Sequence, residues 1–287
     1  MSTTVIPPTP PAQPAPQPAG PPPRSGPSNA AKAVAILVIV FGALVLVGAM
    51  VSAALSTIAA ASVSTQSQTE AAGGVTMLDA DVSAGSLRIE FADVTEAELD
   101  VTRAWGIGDW TLERSGSTLV IASPEGAWGS GWWWFGGTGD AVLRLPLAVE
   151  RADADLTLSA GSIAADGEFD DIRLVLGAGS ADVSGVADTI AADISAGSAN
   201  VDLSDVSDAD LSVSAGSLDV TLSGSTPEDV TLEVSAGSLT VTVPDDVYDI
   251  RSDVSAGDFE NRIGSTAGAP NSIDVQVSAG QVVLRSR

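Results

Sequence analysis

The chain has 287 residues, 37 of them acidic against 12 basic, and contains neither cysteine nor histidine. Disulfides, thiolate chemistry, imidazole metal sites and histidine-based triads are therefore excluded. Every acidic residue lies at or beyond Glu70, where 37 acids face only 10 basic residues, a net charge of −27. Such a surface repels nucleic acid at low salt, so no nucleic-acid partner is expected.

Residues 1–30 hold 11 of the 16 prolines, in runs such as Pro21-Pro22-Pro23. Consecutive prolines favour polyproline II and donate nothing to a ladder. With few large apolar residues to build a core, this stretch reads as a disordered cytoplasmic tail, either solvated or docking a proline-binding domain. Residues 31–63 read as a transmembrane helix. The stretch is uncharged from Ala33 to Val63, and its dense part, 33–55, is 23 residues long. That length crosses about 30 Å of hydrocarbon as a helix. The expected partner here is the lipid bilayer. Arg24 and Lys32 lie before the span, and the first charge after it is Glu70. The positive-inside rule then puts the N-terminus in the cytoplasm and the rest outside a cell membrane crossed once. A cleaved signal peptide is the competing reading, kept open by Ala59-Ala60-Ala61. Residues 64–74 are polar and read as a short linker.

From Val75 to Arg287 one unit recurs. Its centre is Ser-Ala-Gly-Ser or a close variant, around Gly85, Gly161, Gly179, Gly197, Gly216, Gly237, Gly257 and Gly280. Successive glycines are 76, 18, 18, 19, 21, 20 and 23 residues apart, a stacked-repeat period with one long interruption. Before Gly216, Leu211, Val213 and Ala215 alternate with polar residues; after it, Leu218, Val220 and Leu222 do. Alternation marks a strand with one buried face. The parity switch across the glycine marks an extra residue at a corner, where the chain bends and keeps the same face inward. Glycine suits the corner because it reaches φ > 0 without steric cost. Each repeat thus reads as strand, corner, strand and polar return. Stacking predicts an all-β, parallel β-solenoid (β-helix) of about eight coils.

The interruption, residues 92–155, still reads as β structure. Trp110–Glu113 and Thr118–Ala122 flank Ser115-Gly116-Ser117, a hairpin signal. Ala141–Leu145 runs into Pro146, a strand end or edge. Between them stands a glycine-flanked aromatic loop with Trp128, Trp132, Trp133, Trp134 and Phe135. Tryptophan stacks on sugar faces and sits well at membrane interfaces. The loop therefore either contacts a partner, glycan or membrane, or caps the open end of the core.

Two further features bear on function. In stacked coils, Asp182, Asn200 and Asp219 point outward and align, with Asp202 two residues beyond Asn200. These oxygens are candidate Ca²⁺ ligands; the competing reading is a solvated acidic face. The serines after the corner glycines form a ladder, but no base accompanies them, because histidine is absent and the sole lysine is Lys32. They read as makers of corner hydrogen bonds, not as nucleophiles. No catalytic residue and no cofactor is expected.

The apolar-x-apolar-Ser-Ala-Gly-Ser units, with an early repeat set apart by a Trp-containing β segment and a strand ending Leu145-Pro146, resemble the bacterial DUF4097 "putative adhesin", or toastrack, family over about residues 75–287. The resemblance implies an extracytoplasmic binding or scaffolding role, as in the family's membrane-anchored envelope proteins, some found beside envelope-stress regulators. It brings no catalytic motif, and the Trp132–Phe135 run is no part of the family pattern. The function expected is a membrane-anchored, non-enzymatic adhesin-like, scaffolding or envelope-sensing module whose partner is an envelope protein or glycan. The alternative is a carbohydrate-active enzyme, since two carboxylates suitably spaced suffice for glycoside hydrolysis.

Overall fold

The alternation around each corner glycine folds into two strands per repeat, one in each of two sheets that share a core. The computed structural model describes residues 64–103, 109–124 and 139–287, all within the unit Ile58–Arg287. The tail, the apolar span 33–55 and the five aromatic-loop residues lie outside the described residues. Among the described residues no helix is long and apolar enough to cross a membrane.

In chain order the strands are β1 (Ser64–Glu70), β2 (Met77–Val82), β3 (Gly85–Ala92), β4 (Ala97–Arg103), β5 (Thr111–Ser115), β6 (Thr118–Ala122) and β7 (Asp140–Pro146). A single 3₁₀ turn, Leu147–Val149, leads to β8 (Ala152–Leu158), β9 (Gly161–Leu176), β10 (Ser180–Val186), β11 (Thr189–Ile194), β12 (Ser198–Ser204) and β13 (Asp208–Val213). Then come β14 (Ser217–Ser223), β15 (Asp229–Val234), β16 (Ser238–Val243), β17 (Tyr248–Val254), β18 (Asp258–Asn261), β19 (Asn271–Val277) and β20 (Gln281–Ser286).

The front sheet runs β1-β4-β7-β3-β9-β10-β12-β14-β16-β20-β18. The back sheet runs β5-β6-β2-β8-β9-β11-β13-β15-β19-β17. The long strand β9 gives its first half to the front and its second half to the back. Pairing is parallel except β1–β4, β4–β7 and β5–β6. The solenoid expected from the parity switch is thus what forms.

Register stacks like on like. One inward column of the back sheet reads Leu112, Ile121, Ala80, Leu156, Leu174, Ala192, Leu211, Leu232, Val275 and Ser252. Its front-sheet counterpart reads Leu99, Leu143, Ile89, Ala165, Val183, Val201, Val220, Val241, Leu284 and Asn261. Apart from Ser252 and Asn261 every member is buried. These aliphatic columns make one continuous core, and their removal from water is the main stabilising term.

The corners close on backbone. Ser198 N–H donates to Gly179 O at 3.0 Å, Ser217 N–H to Gly197 O at 2.9 Å and Ser238 N–H to Gly216 O at 3.0 Å. The expected reason for glycine holds only in part. Gly85, Gly161, Gly179, Gly197 and Gly257 have φ of 114–118°, whereas Gly216, Gly237 and Gly280 lie outside the left-handed range. Close stacking is the wider constraint: a methyl on Gly216 or Gly237 would stand 2.5 Å from the carbonyl oxygen of the corner glycine before it. The returns are polar only at their surface, because Ala187, Val206 and Pro227 are buried wedges within them.

Three features depart from the repeat order. First, the interruption supplies a rung of its own, since β6 lies beside β2 and β7 beside β3. The aromatic segment therefore leaves and rejoins the column where other rungs turn their corner. Buried Ser123 serves that corner: its Oγ accepts from Ser83 N–H at 2.8 Å and Ala84 N–H at 3.3 Å.

Second, the polar stretch read as a linker, 64–74, contains β1, which pairs with β4 over its whole length. Its alternate Gln and Thr residues suit a strand that closes a core end with polar groups. Gln68 spans the two sheets there, donating from Nε2 to Trp110 O at 2.6 Å and accepting from Leu112 N–H at 3.1 Å. Arg114 ties down the following turn through Ala71 O at 2.9 Å and Gly73 O at 2.7 Å. The proximal cap is thus built by β1, β4, β5 and the buried Trp110.

Third, the last two repeats stack in reverse. The Gly280 rung (β19–β20) packs directly on β15 and β16, and the earlier Gly257 rung (β17–β18) lies outside it.

Candidate binding surface

The parity that buries the aliphatic columns turns the other residues of each front-sheet strand outward. Nearest the corner they form a hydroxyl column: Ser86, Ser162, Ser180, Ser198, Ser217 and Ser238. Neighbours in it stand about 4.8 Å apart, the interstrand spacing. Except for Ser86, which donates to Asp140, these hydroxyls make no hydrogen bond among the described residues. This corrects the expected side-chain corner bonds: backbone N–H groups already satisfy the corner carbonyls, which leaves the hydroxyls free.

The next outward column reads Arg88, Ala164, Asp182, Asn200, Asp219 and Thr240. Asp182, Asn200 and Asp219 are therefore abreast and exposed, as the repeat predicts. Asp202 belongs to the next column along, level with Ser184 and Thr221. No group of three or more carboxylates among the described residues is arranged to hold a metal ion.

Two depressions follow these columns. One of about 360 Å³ crosses β10, β12, β14 and β16 between Ser180 and Thr240. The other, of about 160 Å³, crosses β7, β3 and β9 and is lined by Ser86, Arg88, Asp140 and Ser162. Strands β9 and β10 are adjacent, so the two lie end to end along the column. Arg88 faces the small neighbours Val142 and Ala164, with no ion pair among the described residues. Asp140 borders this end and follows directly on Gly139, where the aromatic segment rejoins the described chain.

Other charged groups are committed to the scaffold. Arg144 bridges Glu90 at 3.0 Å and Asp100 at 2.7 Å, tying three proximal strands. Hydrogen bonds from Ser67 and then from Arg144 hold the Asp100 carboxyl below its usual range. Arg151 faces Asp170 at 3.0 Å and Asp188 at 3.1 Å on the return edge. On the outer back sheet, Asp79 sits level with Asp155; burial, then the Asp155 and Asp81 charges, push its pKa up.

Sequence reasoning missed Trp110, Gln68 and Ser123 as structural closures. The aromatic-loop residues Trp128, Trp132, Trp133, Trp134 and Phe135 fall outside the described residues, but the closures at both roots of that segment, Ser123 and Gly139, are on the corner edge.

No protein-family model matches the sequence, and no curated protein sequence matches it. Solved structures of similar shape include a "putative cell adhesion protein" of Clostridium sporogenes, 13% identical, covering 78% of this chain and 100% of its own, with a TM-score of 0.41. A "putative adhesin" of Parabacteroides distasonis is 10% identical over 78% of this chain and 97% of its own, with a TM-score of 0.44. A "putative lipid binding protein" of the same organism is 14% identical over 76% and 96%, with a TM-score of 0.40.

Proposed function

We propose that the chain is a membrane-anchored, non-enzymatic, adhesin-like module that displays its solenoid outside the cell membrane and holds an extended envelope glycan along the front sheet. The observation that carries this reading is the run of unbonded serine hydroxyls beside the two end-to-end depressions. Hydroxyls repeating at about 4.8 Å suit a linear polymer with its own short repeat, because each rung from Ser162 to Ser238 offers the same donor and acceptor again. The apolar span 33–55, with Arg24 and Lys32 before it, supports the anchor and its orientation. The tryptophans of 128–135 carry ring faces of the kind that stack on sugars.

The test is co-sedimentation of the full chain, held in nanodiscs, with insoluble cell-wall polysaccharide. Ser217→Arg, an outward change in the middle of the groove, is expected to weaken binding at least about tenfold, the effect of one lost polar anchor. A Trp132→Ala, Trp133→Ala, Trp134→Ala variant is expected to weaken it as well. Binding untouched by Ser217→Arg would reject the groove. Capture of an envelope protein with no polysaccharide retained would replace the glycan by a protein partner, and turnover of the polysaccharide would reject the non-enzymatic reading.

A further inference from the structure

The reversed order of the last two rungs gives the distal end a property of its own. Because β19 and β20 bypass β17 and β18 to pair with β15 and β16, the outermost rung is an excursion between Val243 and Asn271. It can leave without unthreading any other strand. The cost of the resulting free loop rises only as the logarithm of its length.

The rung is laddered to β19 and β20, but its side chains bury less than those of the inner rung. The inner rung turns Ile273, Val275, Val277, Val282 and Leu284 into the core, each 2% exposed or less. The outer rung places Ile250, Ser252, Val254, Phe259 and Asn261 at the matching positions, and none of them is buried. Both aliphatic columns described above end here in a polar residue, Ser252 in one and Asn261 in the other. Val254 is 40% exposed.

A strap from the loop after β18 covers only the start of the edge: Thr266 N–H donates to Tyr248 O at 2.8 Å, and Ser265 Oγ accepts from Ile250 N–H at 3.0 Å. The ion pairs of Arg251, with Asp249 at 3.2 Å and Asp274 at 3.5 Å, are solvent-exposed and contribute little. Tyr248 is the one buried side chain of the rung, its hydroxyl donating to Pro244 O within the same rung at 3.0 Å, and Ile250, Phe259 and Ile263 pack partly against the core.

We propose that residues 244–270 open as one unit while the rest of the column stays folded, so that the distal end alternates between a closed, polar-ended form and an open form with β19 and β20 as its edge. The closed form hides the continuous aliphatic face; the open form presents it.

Hydrogen exchange of the full chain in nanodiscs, read amide by amide, tests this. In the outer rung, amides such as Ser255 and Asp258, which donate to Val277 and Gly280, are expected to exchange at least about 100-fold faster than those of β13–β16. Ser272, Ser278 and Gln281 are expected to stay slow, since they donate inward to Glu228, Val234 and Gly237. Ser252→Val, which restores the aliphatic column, is expected to slow the outer rung about tenfold and leave β13–β16 unchanged. Outer-rung protection within tenfold of β13–β16 would overturn the proposal. So would exchange of Ser272, Ser278 and Gln281 at the outer-rung rate, which would mean that both rungs fray together.

Discussion

Gly216→Ala isolates what the corner column requires. The backbone of Gly216 lies outside the left-handed range, so alanine is conformationally permitted there and only space is tested. The new methyl would stand 2.5 Å from Gly197 O and 3.0 Å from Ile194 Cγ2, where ordinary contact begins at 3.4 Å. Relief needs a shift of almost an ångström between two rungs. That shift strains Ser217 N–H to Gly197 O at 2.9 Å on one side and Ser238 N–H to Gly216 O at 3.0 Å on the other. Overpacking of this kind costs about 1–3 kcal/mol, and each weakened bond adds about 0.5–1.5 kcal/mol. The sum is about 2–6 kcal/mol, or a melting temperature lower by roughly 4–24 °C for a folded unit of this size. Gly264→Ala is the control: its φ is +81° but nothing lies within 4 Å, so it carries backbone strain without crowding. Strain of that kind costs about 1–2 kcal/mol. Thermal melting of the full-length variants, followed by far-UV circular dichroism, makes the comparison. If Gly216→Ala loses no more than Gly264→Ala, close stacking of the corners is not what demands glycine.

Gln68→Ala removes both links between Trp110 and Leu112 at the proximal cap, and should lower stability by about 2–3 kcal/mol in denaturant titration because it leaves backbone groups of the cap unpaired. Asp79 has its folded pKa raised, so its favourable contribution is complete below the unfolded value and disappears as pH rises through the folded one. Asp79→Asn should therefore raise the melting temperature at neutral pH, and the gain should vanish in acid. Asp100 has the opposite sign: its pKa is lowered by Ser67 and Arg144, so its contribution is present above the unfolded value and is lost as pH falls through the folded one. Asp100→Asn should thus narrow the stability difference between neutral and acidic pH, read from melting curves across that range.

Much of this fold is legible in the sequence because a parity switch around a glycine constrains both faces of two strands at once. Leu211, Val213, Leu218 and Val220 are inward in the sequence pattern and buried in the structure. The alignment of Asp182, Asn200 and Asp219 follows from the same counting. What escapes the pattern depends on contacts remote in sequence. The polar alternation of β1 resembles a solvated tether until β4 supplies a partner. Trp110 closes an end, a role that depends on which strand is last and not on local sequence. The reversed order of the final rungs is hidden because the Gly257 and Gly280 corners look alike. The signal was still there: Ser252 and Asn261 break the aliphatic alternation at inward positions, and a polar residue facing a core is tolerated only where the core stops.

The same packing bears on the proposed binding role. Among the described residues the inward positions of the column are filled with Leu, Val, Ile and Ala, and the two depressions lie on the outer face of the front sheet. On the return edge Asp170 and Asp188 are engaged by Arg151. Thr226 likewise donates to Asp246 at 2.8 Å. The front sheet differs because its corner bonds run through backbone, which frees one hydroxyl in each rung from Ser162 to Ser238 from structural duty. Folding does not require a hydroxyl after the corner glycine, since Asp258 and Gln281 stand there in the last two rungs. That serine recurs in the paired rungs of Ser86, Ser162, Ser180, Ser198, Ser217 and Ser238, with its hydroxyl unused by the scaffold beyond Ser86, is the reason to place the proposed binding role on that column.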